Sequence, residues 1–170
     1  NKDLLEQAMV HRSYLNANPG YRLAHNERLE FLGDAVLELV VTESLYKTYP
    51  DRPEGELTSL RAALVNSKML AYVATELGLN EFLLLSSGET RDVGRARQFI
   101  LANTFEALIG AIYLDRGYAV TDTFITKTLM PRLTAVLTDK LYKDAKSLFQ
   151  EEAQERAGIT PTYEVLREWG

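Results

Sequence analysis

Three carboxylate residues recur at helical spacing within residues 25–37. Glu27, Glu30 and Asp34 occupy positions i, i+3 and i+7, so a helix at this place would present all three on one face. Like charges stacked in this way repel by roughly a few tenths of a kcal/mol per pair, and a purely structural helix gains nothing from them. A divalent cation would convert the repulsion into binding energy, because hard cations prefer oxygen ligands. The spacing therefore indicates a candidate metal-binding face.

A second pair of oxygen-bearing side chains, Asn103 and Glu106, stands at i and i+3 within an otherwise apolar segment. Each segment also contains a glycine near that face, Gly33 in the first and Gly110, one turn beyond Glu106, in the second. Glycine inside a helix costs about 1 kcal/mol relative to alanine, and close packing of the two helices at these glycines would explain that cost. Such packing would gather four oxygen-bearing side chains into one cluster: Glu30, Asp34, Asn103 and Glu106.

Each pattern also has a simpler interpretation. An acidic stripe is usually a solvated helix face, and an Asn within a helix is usually hydrogen-bonded locally; two stripes, each beside a glycine, favour the metal site. Arg12 can pair with a carboxylate or reach a phosphate, and His25 before a helix is more often a cap or packing residue than a catalytic group. Taken alone, Arg91, Arg95 and Arg97 favour a solvated surface loop, with phosphate contact as the functional alternative.

The amino-acid composition excludes several kinds of protein and of functional site. The 170 residues, 46% hydrophobic and 25% charged, are typical of one globular domain, or one domain plus a fragment. The absence of cysteine excludes disulfides, zinc–thiolate sites and cysteine nucleophiles, and two histidines are too few for a multi-histidine metal site. The net charge of −5 does not by itself favour a nucleic-acid binder, although carboxylates that hold cations also make a chain acidic. No apolar run approaches the length of a membrane span.

Hydrophobic periodicity predicts a largely helical chain. Helices are expected over residues 4–14, 27–48, 54–77 with a bend near Asn66, 97–115, and 121–138 with a break near Pro131. Residues 16–24 and 86–95 are expected to form loops. A change of composition predicts a linker over 139–145, followed by a short helix over 146–157. Alternation of Tyr163, Val165 and Trp169 with polar residues predicts a strand, so the tail is expected to be the first part of a truncated second module.

The string Asn-Glu-Arg-Leu-Glu-Phe-Leu-Gly-Asp at 26–34 closely resembles the signature of the ribonuclease III family. The match extends to residues 11–14, 54–57, 60–62 and 101–115, and covers essentially the whole chain to about Thr138. Residues 146–151 and 161–163 resemble the opening of a double-stranded-RNA-binding domain. The resemblance implies an all-α endonuclease domain over 1–138, a linker over 139–145, and a truncated α/β fragment over 146–170.

The family resemblance further implies a cytoplasmic homodimer with two active centres in a valley between the protomers. Each centre would cut one strand of double-stranded RNA, leaving 5′-phosphates and 3′-hydroxyls with short 3′ overhangs, in RNA processing that includes rRNA processing. Catalysis would require Mg²⁺, for which Mn²⁺ can substitute. No membrane and no small-molecule cofactor is expected as a partner.

The resemblance also implies roles for individual residues. Glu30, Asp34, Asn103 and Glu106 correspond to the metal site, with Asp34 and Glu106 as catalytic residues. Phe31 corresponds to the apolar residue that inserts into the partner subunit. Residues expected to line the valley or bind RNA are Glu27, Glu54, Arg91, Arg95, Arg97, Ser147 and Gln150.

Position 103 departs from the family pattern, in which Asp is commonest. The amide oxygen of Asn103 can still bind Mg²⁺ but brings no negative charge. A tolerated natural variant, an engineered change and a degenerate site are competing explanations. Because Asp34 and Glu106 are intact, an active or conditionally active enzyme is favoured. The alternatives are a catalytically impaired protein of the same fold that binds structured RNA without cutting it, and a plain helical interaction domain.

Overall fold

Ten α-helices make up most of the chain that the structure, a computed structural model, describes. It describes residues 1–91, 94–139, 142, 145–165 and 167, with only the backbone at 145–148 and 151. The helices are α1 (Lys2–Ala8), α2 (Arg12–Ala17), α3 (Glu27–Thr48), α4 (Glu54–Val65), α5 (Ser67–Glu76), α6 (Ser87–Arg91), α7 (Arg95–Arg116), α8 (Tyr118–Thr128), α9 (Leu133–Thr138) and α10 (Ala145–Ala157). An isolated parallel bridge joins Val10 to Leu84, and the described residues include no strand. The predicted all-α class is confirmed.

Two long helices, α3 and α7, form the centre of the domain. Each is 22 residues long, and each buries one broad apolar face. Leu37 and Val41 of α3, and Phe105 and Ile109 of α7, are fully buried. Helix α5 packs against α7 through buried residues that include Leu70. Burial of this apolar surface is the main force that fixes α3 against α7.

The predicted helix over 4–14 is wrong, because the chain breaks between α1 and α2. The amide of Leu84 donates to the carbonyl of Met9 at 2.9 Å, and the amide of His11 donates to the carbonyl of Leu84 at 3.1 Å. These backbone groups therefore bond to a distant segment in place of a helix ladder. The His11 ring then caps α2 by accepting a hydrogen bond from the Ser13 amide at 3.3 Å.

The other predicted breaks coincide with real helix ends. Asn66 separates α4 from α5 in an extended conformation, and its side chain accepts a hydrogen bond from the Met69 amide at 3.0 Å. Gly78 follows α5 with φ of 70°, a left-handed conformation that favours glycine. Pro131 lies in a 3₁₀ turn, Met130–Arg132, between α8 and α9.

Two predicted non-helical segments differ from the structure. The expected loop at 86–95 contains the short helix α6, while its residues 92 and 93 lie outside the described part. In the tail, α10 forms where a helix was predicted, but residues 159–165 and 167 adopt no regular secondary structure. A strand needs a neighbouring strand to pair its backbone groups. Trp169 and linker residues 140, 141, 143 and 144 lie outside the described residues.

None of the helices that the structure describes is both long enough and apolar enough to cross a lipid bilayer.

Candidate active site

The site begins where α3 crosses α7 at two glycines. A Cβ atom added to Gly33 would lie 1.8 Å from the carbonyl oxygen of Glu106 and 2.8 Å from the amide nitrogen of Gly110. A Cβ atom added to Gly110 would lie 2.2 Å from the carbonyl oxygen of Leu29. No side chain fits in these gaps, so the close helix contact predicted from the two glycines is confirmed.

This crossing brings together the four polar residues that the sequence singled out, here termed the acid cluster: Glu30, Asp34, Asn103 and Glu106. Burial raises the pKa of Glu106 to about 8, assisted by the negative charges of Asp34, Glu30 and Glu38. Burial also raises the pKa of Glu30, as do the charges of Glu27 and Asp34, while hydrogen bonding from the Asn103 side chain opposes the rise. The fold thus concentrates negative charge on one side of the crossing.

The donor chemistry of the acid cluster suits a hard divalent cation. Three carboxylates and one amide supply oxygen ligands only, which Mg²⁺ and Mn²⁺ prefer. The charges that shift the pKa of Glu106 are all negative, so a bound cation would relieve their repulsion. Among the residues that the structure describes, no three His, Asp or Glu side chains already form a metal-binding group. The cluster is therefore a group of neighbouring oxygen-bearing side chains and not a preformed ligand cage.

Asn26 fixes the start of α3, a role that the sequence reasoning missed. Its side chain is 2% exposed and donates to the carbonyl of Ala8 at 3.1 Å. Its backbone amide donates to the carbonyl of Val10 at 2.9 Å, and its carbonyl accepts from the amide of Glu30. Asn immediately before a helix is a recognisable capping signal, but the Asn26 side chain makes no capping hydrogen bond to α3 and bonds to Ala8 instead. Its bonds to the end of α1 depend on tertiary packing, and they set the position of Glu30.

Glu27 and Glu54, the two further predicted acids, have different surroundings. Glu27 pairs with Arg12, whose Nη2 lies 2.5 Å from Glu27 Oε2, and the His25 Nδ1 lies 3.8 Å from the same oxygen. Of the two roles considered for Arg12, the structure shows the ion pair with a carboxylate. Glu54 is exposed at the start of α4 and accepts a hydrogen bond from the Thr58 hydroxyl at 2.8 Å. Glu54 is not among the charges that shift the pKa of Glu30 or Glu106.

Glu38 is a further acid near the cluster that the sequence reasoning missed. It lies one turn beyond Asp34 on α3, and its charge contributes to the raised pKa of Glu106. Its carboxylate pairs with Arg61 of α4, with Nε and Oε2 separated by 2.9 Å. The spacing from Asp34 was a usable signal, but the pairing with α4 was not visible in the sequence.

The three arginines predicted to contact RNA differ in their exposure and in their contacts within the protein. Arg91 and Arg95 are exposed, and the Arg95 guanidinium lies 5.6 Å from the centre of the Phe99 ring. Arg97 donates to the carbonyls of Glu89 and Thr90 at 2.9 and 3.0 Å, so it also fastens the end of α6. Of the tail residues, Gln150 is exposed, and the side chain of Ser147 lies outside the described part.

Phe31 is 82% exposed although it lies within α3. It borders a groove that is also lined by Leu4, Leu32 and Leu114. An exposed aromatic side chain that continues into an apolar groove is the kind of surface on which another molecule can dock.

Comparison with known proteins supports one family. A family model described as Ribonuclease-III-like matches residues 1–133. Ribonuclease 3 of Desulforamulus reducens is 46% identical over 170 residues, which is all of this chain and 69% of that protein. Ribonuclease 3 of Streptococcus pneumoniae strain P1031 is 42% identical over 170 residues, covering 73% of that protein.

Solved structures agree with the sequence relatives. The nuclease domain of ribonuclease III from Campylobacter jejuni aligns with a TM-score of 0.67 and 42% identity, over 75% of this chain and 88% of that one. Dicer from Pichia stipitis aligns with a TM-score of 0.62 and 28% identity, over 99% of this chain and 75% of that one. Since the family model covers most of the chain and the relatives align along its full length, the chain belongs to the ribonuclease III family of endoribonucleases.

Proposed function

We propose that the chain is a Mg²⁺-dependent endoribonuclease that cuts double-stranded RNA during RNA processing, including rRNA processing. The products would carry 5′-phosphates and 3′-hydroxyls with short 3′ overhangs. The observation that carries this proposal is the gathering of Glu30, Asp34 and Glu106 at the glycine crossing of α3 and α7, in a chain of the ribonuclease III family.

The residues of the acid cluster have distinct parts in this proposal. Glu30, Asp34, Asn103 and Glu106 would hold Mg²⁺, or Mn²⁺ in its place. The bound ion would supply positive charge for the scissile phosphate and activate the attacking water. Asp34 is exposed, so its carboxylate would be accessible to an approaching RNA strand. Glu106 is more buried, and its raised pKa means that its carboxyl group keeps a proton at neutral pH in the metal-free protein.

Substrate recognition would depend on the shape of the duplex. A-form RNA exposes 2′-hydroxyls in a wide, shallow minor groove, which a protein valley can recognise with little base specificity. Glu27 and Glu54 would line that valley. Arg91, Arg95 and Arg97 would contact RNA phosphates, with Arg97 doing so while holding α6. Ser147 and Gln150 would add contacts from the second module.

Domain organisation and assembly complete the proposal. Residues 1–138 would be the endonuclease domain, 139–145 a linker, and 146–170 the start of a double-stranded-RNA-binding domain. Two copies would associate through Phe31, whose exposure supports such a contact. The Campylobacter nuclease domain is described as having a region involved in dimer formation. RNA processing of this kind would take place in the cytoplasm.

A second candidate function rests on Asn103. An amide in place of the commoner carboxylate removes one negative charge from the metal site, which weakens cation binding. The chain would then bind structured RNA in the same valley without cutting it.

Cleavage of a long RNA duplex in Mg²⁺ separates these functions. The parent chain, Asn103→Asp, Glu106→Ala and the exposed control Glu81→Ala are compared. We expect the parent and Glu81→Ala to cleave, Asn103→Asp to cleave faster, and Glu106→Ala to lose about 100-fold or more, as is typical when a key charged group is removed. A silent parent with an active Asn103→Asp would support the second function. Equal cleavage by the parent and Glu106→Ala would refute the proposed site.

A further inference from the structure

The exposed stripe of α3 continues beyond the acid cluster. Asp34, Glu38 and Thr42 stand at i, i+4 and i+8, so they follow one another along one side of the helix, about 6 Å apart. Arg61 of α4 lies across this stripe. Its Nε is 2.9 Å from Glu38 Oε2, and its Nη1 donates to the Thr42 hydroxyl at 3.0 Å. The Arg61 guanidinium is thus held beside Glu38, which lies one helical turn from Asp34 of the acid cluster.

The same arginine opens onto a groove of about 410 Å³ between α3 and α4. Thr42, Thr58 and Arg61 contribute hydroxyl and guanidinium groups to its wall. Arg52, which is paired with Glu56 at 3.1 Å, and Glu54, whose carboxylate accepts from the Thr58 hydroxyl, line it as well. Hydroxyl and guanidinium groups are the side chains that most often bind phosphate oxygens in nucleic-acid complexes. Arg61 thus presents guanidinium N–H donors to the groove, beside a cluster of carboxylates that repels a polyanion.

We infer that Arg61 is a substrate-positioning residue that binds a phosphate of the RNA strand next to the scissile phosphate, and that Glu38 holds Arg61 in place until RNA arrives. The inference rests on the proposed function and deepens it. It assigns to α4 the group that directs the strand across the acid cluster.

The Glu38–Arg61 pair has the properties that such an exchange requires. The two side chains are 38% and 35% exposed, so their ion pair is partly solvated and contributes little stability that RNA binding must overcome. Arginine carries five N–H donors in a planar fork that matches phosphate as well as carboxylate. Exchanging the Glu38 carboxylate for a phosphate keeps the guanidinium paired throughout.

A purely structural bridge between α3 and α4 would give a different result from this exchange. If Arg61 only braces the helices, removing either partner disrupts the same contact, and both changes weaken RNA binding. If Glu38 competes with RNA for Arg61, the two changes have opposite signs. Removing Arg61 weakens RNA binding, whereas neutralising Glu38 strengthens it.

The test uses the full chain and a 30-base-pair RNA duplex in EDTA, where cleavage does not interfere. Dissociation constants are measured over a series of KCl concentrations for the parent, Arg61→Met, Arg61→Lys, Glu38→Gln and the matched control Lys127→Met on the exposed side of α8. Urea midpoints for each variant verify folding. Steady-state cleavage in Mg²⁺ then separates KM from kcat.

Arg61→Met is expected to raise Kd about tenfold and to lower the salt slope by about one per protomer, as loss of one phosphate contact does. Arg61→Lys should recover part of the affinity, Glu38→Gln should lower Kd about two- to threefold, and Lys127→Met should change neither quantity. In Mg²⁺, Arg61→Met should raise KM more than it lowers kcat.

Two results would overturn the inference while leaving the proposed function intact. One is an Arg61→Met variant that binds and cleaves RNA like the parent. The other is a Glu38→Gln variant that weakens binding as much as Arg61→Met does, which would make the pair a structural brace. A parent chain that neither binds nor cleaves duplex RNA would refute the proposed function and this inference together.

Discussion

Glu106 shows how the fold changes the chemistry of a single residue. Its carboxyl group lies among Asp34, Glu30 and Glu38 in a half-buried position, and its pKa rises from an ordinary value of 4.5 to about 8. The folded protein therefore keeps a proton on Glu106 between these pH values, whereas the unfolded chain has released it. A site that resists carrying negative charge without a counterion is poised to accept a cation.

The raised pKa of Glu106 predicts a pH-dependent stability in metal-free protein. Because the folded state binds the extra proton, the free energy of unfolding should decrease as pH rises from about 4.5 to about 8. Thermal unfolding in EDTA at half-unit pH steps measures this effect. Glu106→Gln should flatten the decline, since the amide does not titrate.

Glu81→Gln, which changes an exposed carboxylate on another part of the surface, is the control and should retain the parent's pH profile. Added Mg²⁺ should raise the melting temperature most at pH 8, where the carboxylates are most fully ionised. A Glu106→Gln variant with the same pH profile as the parent would show that Glu106 is not the responsible group.

At the scale of elements, the site depends on how closely two helices approach. Gly33 and Gly110 let the backbones of α3 and α7 touch, which places Glu30 and Asp34 opposite Glu106. Asn26 adds a second constraint by tying the start of α3 to the end of α1. The four side chains of the acid cluster are thus close together because the backbones of α3 and α7 touch.

Substitution of either glycine by alanine tests this contact. Alanine at Gly33 or Gly110 would overlap backbone atoms of the facing helix, so we expect a loss of about 3 kcal/mol or more in the free energy of unfolding. Cleavage activity should fall as well, since the acid cluster would be pulled apart. Urea denaturation and the duplex cleavage assay measure the two effects.

Gly55→Ala in α4 provides a matched comparison. An added Cβ there meets no atom within 4 Å, so the change should stabilise the protein by up to about 1 kcal/mol through helix propensity. If Gly33→Ala were as stable as Gly55→Ala, the close helix crossing would not exist in solution.

At the level of the assembled protein, the proposed self-association predicts a role for one exposed aromatic residue. Phe31 is 82% exposed and lies on α3 next to Glu30 of the acid cluster, whereas Phe82 is 63% exposed and lies outside α3. An interface through Phe31 would bring two acid clusters to the same face of a dimer. Each could then act on one strand of an RNA duplex.

Phe31→Ala should therefore weaken self-association by at least about tenfold, as expected when an aromatic anchor is removed from an interface. Sedimentation equilibrium over a range of protein concentrations measures the dissociation constant of the dimer. Phe82→Ala is the control, since it removes an exposed phenyl ring from a different surface. Equal effects of the two changes would argue against a specific interface at Phe31.

Elements whose signals are local could be predicted from the sequence alone. The limits of α3, the break at Asn66 and the stop at Gly78 follow from apolar periodicity, capping and backbone conformation, which operate within a few residues. The grouping of Glu30 with Asp34, and of Asn103 with Glu106, follows from helix geometry alone. Gly33 and Gly110 also predicted a contact between distant segments. Glycine is unfavourable within a helix, so its presence in both helices implied that another helix packs closely there.

Features that depend on contacts between distant segments could not be predicted from the sequence. The break between α1 and α2 arises because Leu84 bonds to the backbone of Met9 and His11, which no pattern in residues 1–17 reveals. The pairing of Glu38 with Arg61, and the fastening of α6 by Arg97, likewise join separate elements. The raised pKa of Glu106 requires burial and three neighbouring charges together. Helix periodicity defines which residues share a face, but only packing decides what that face meets.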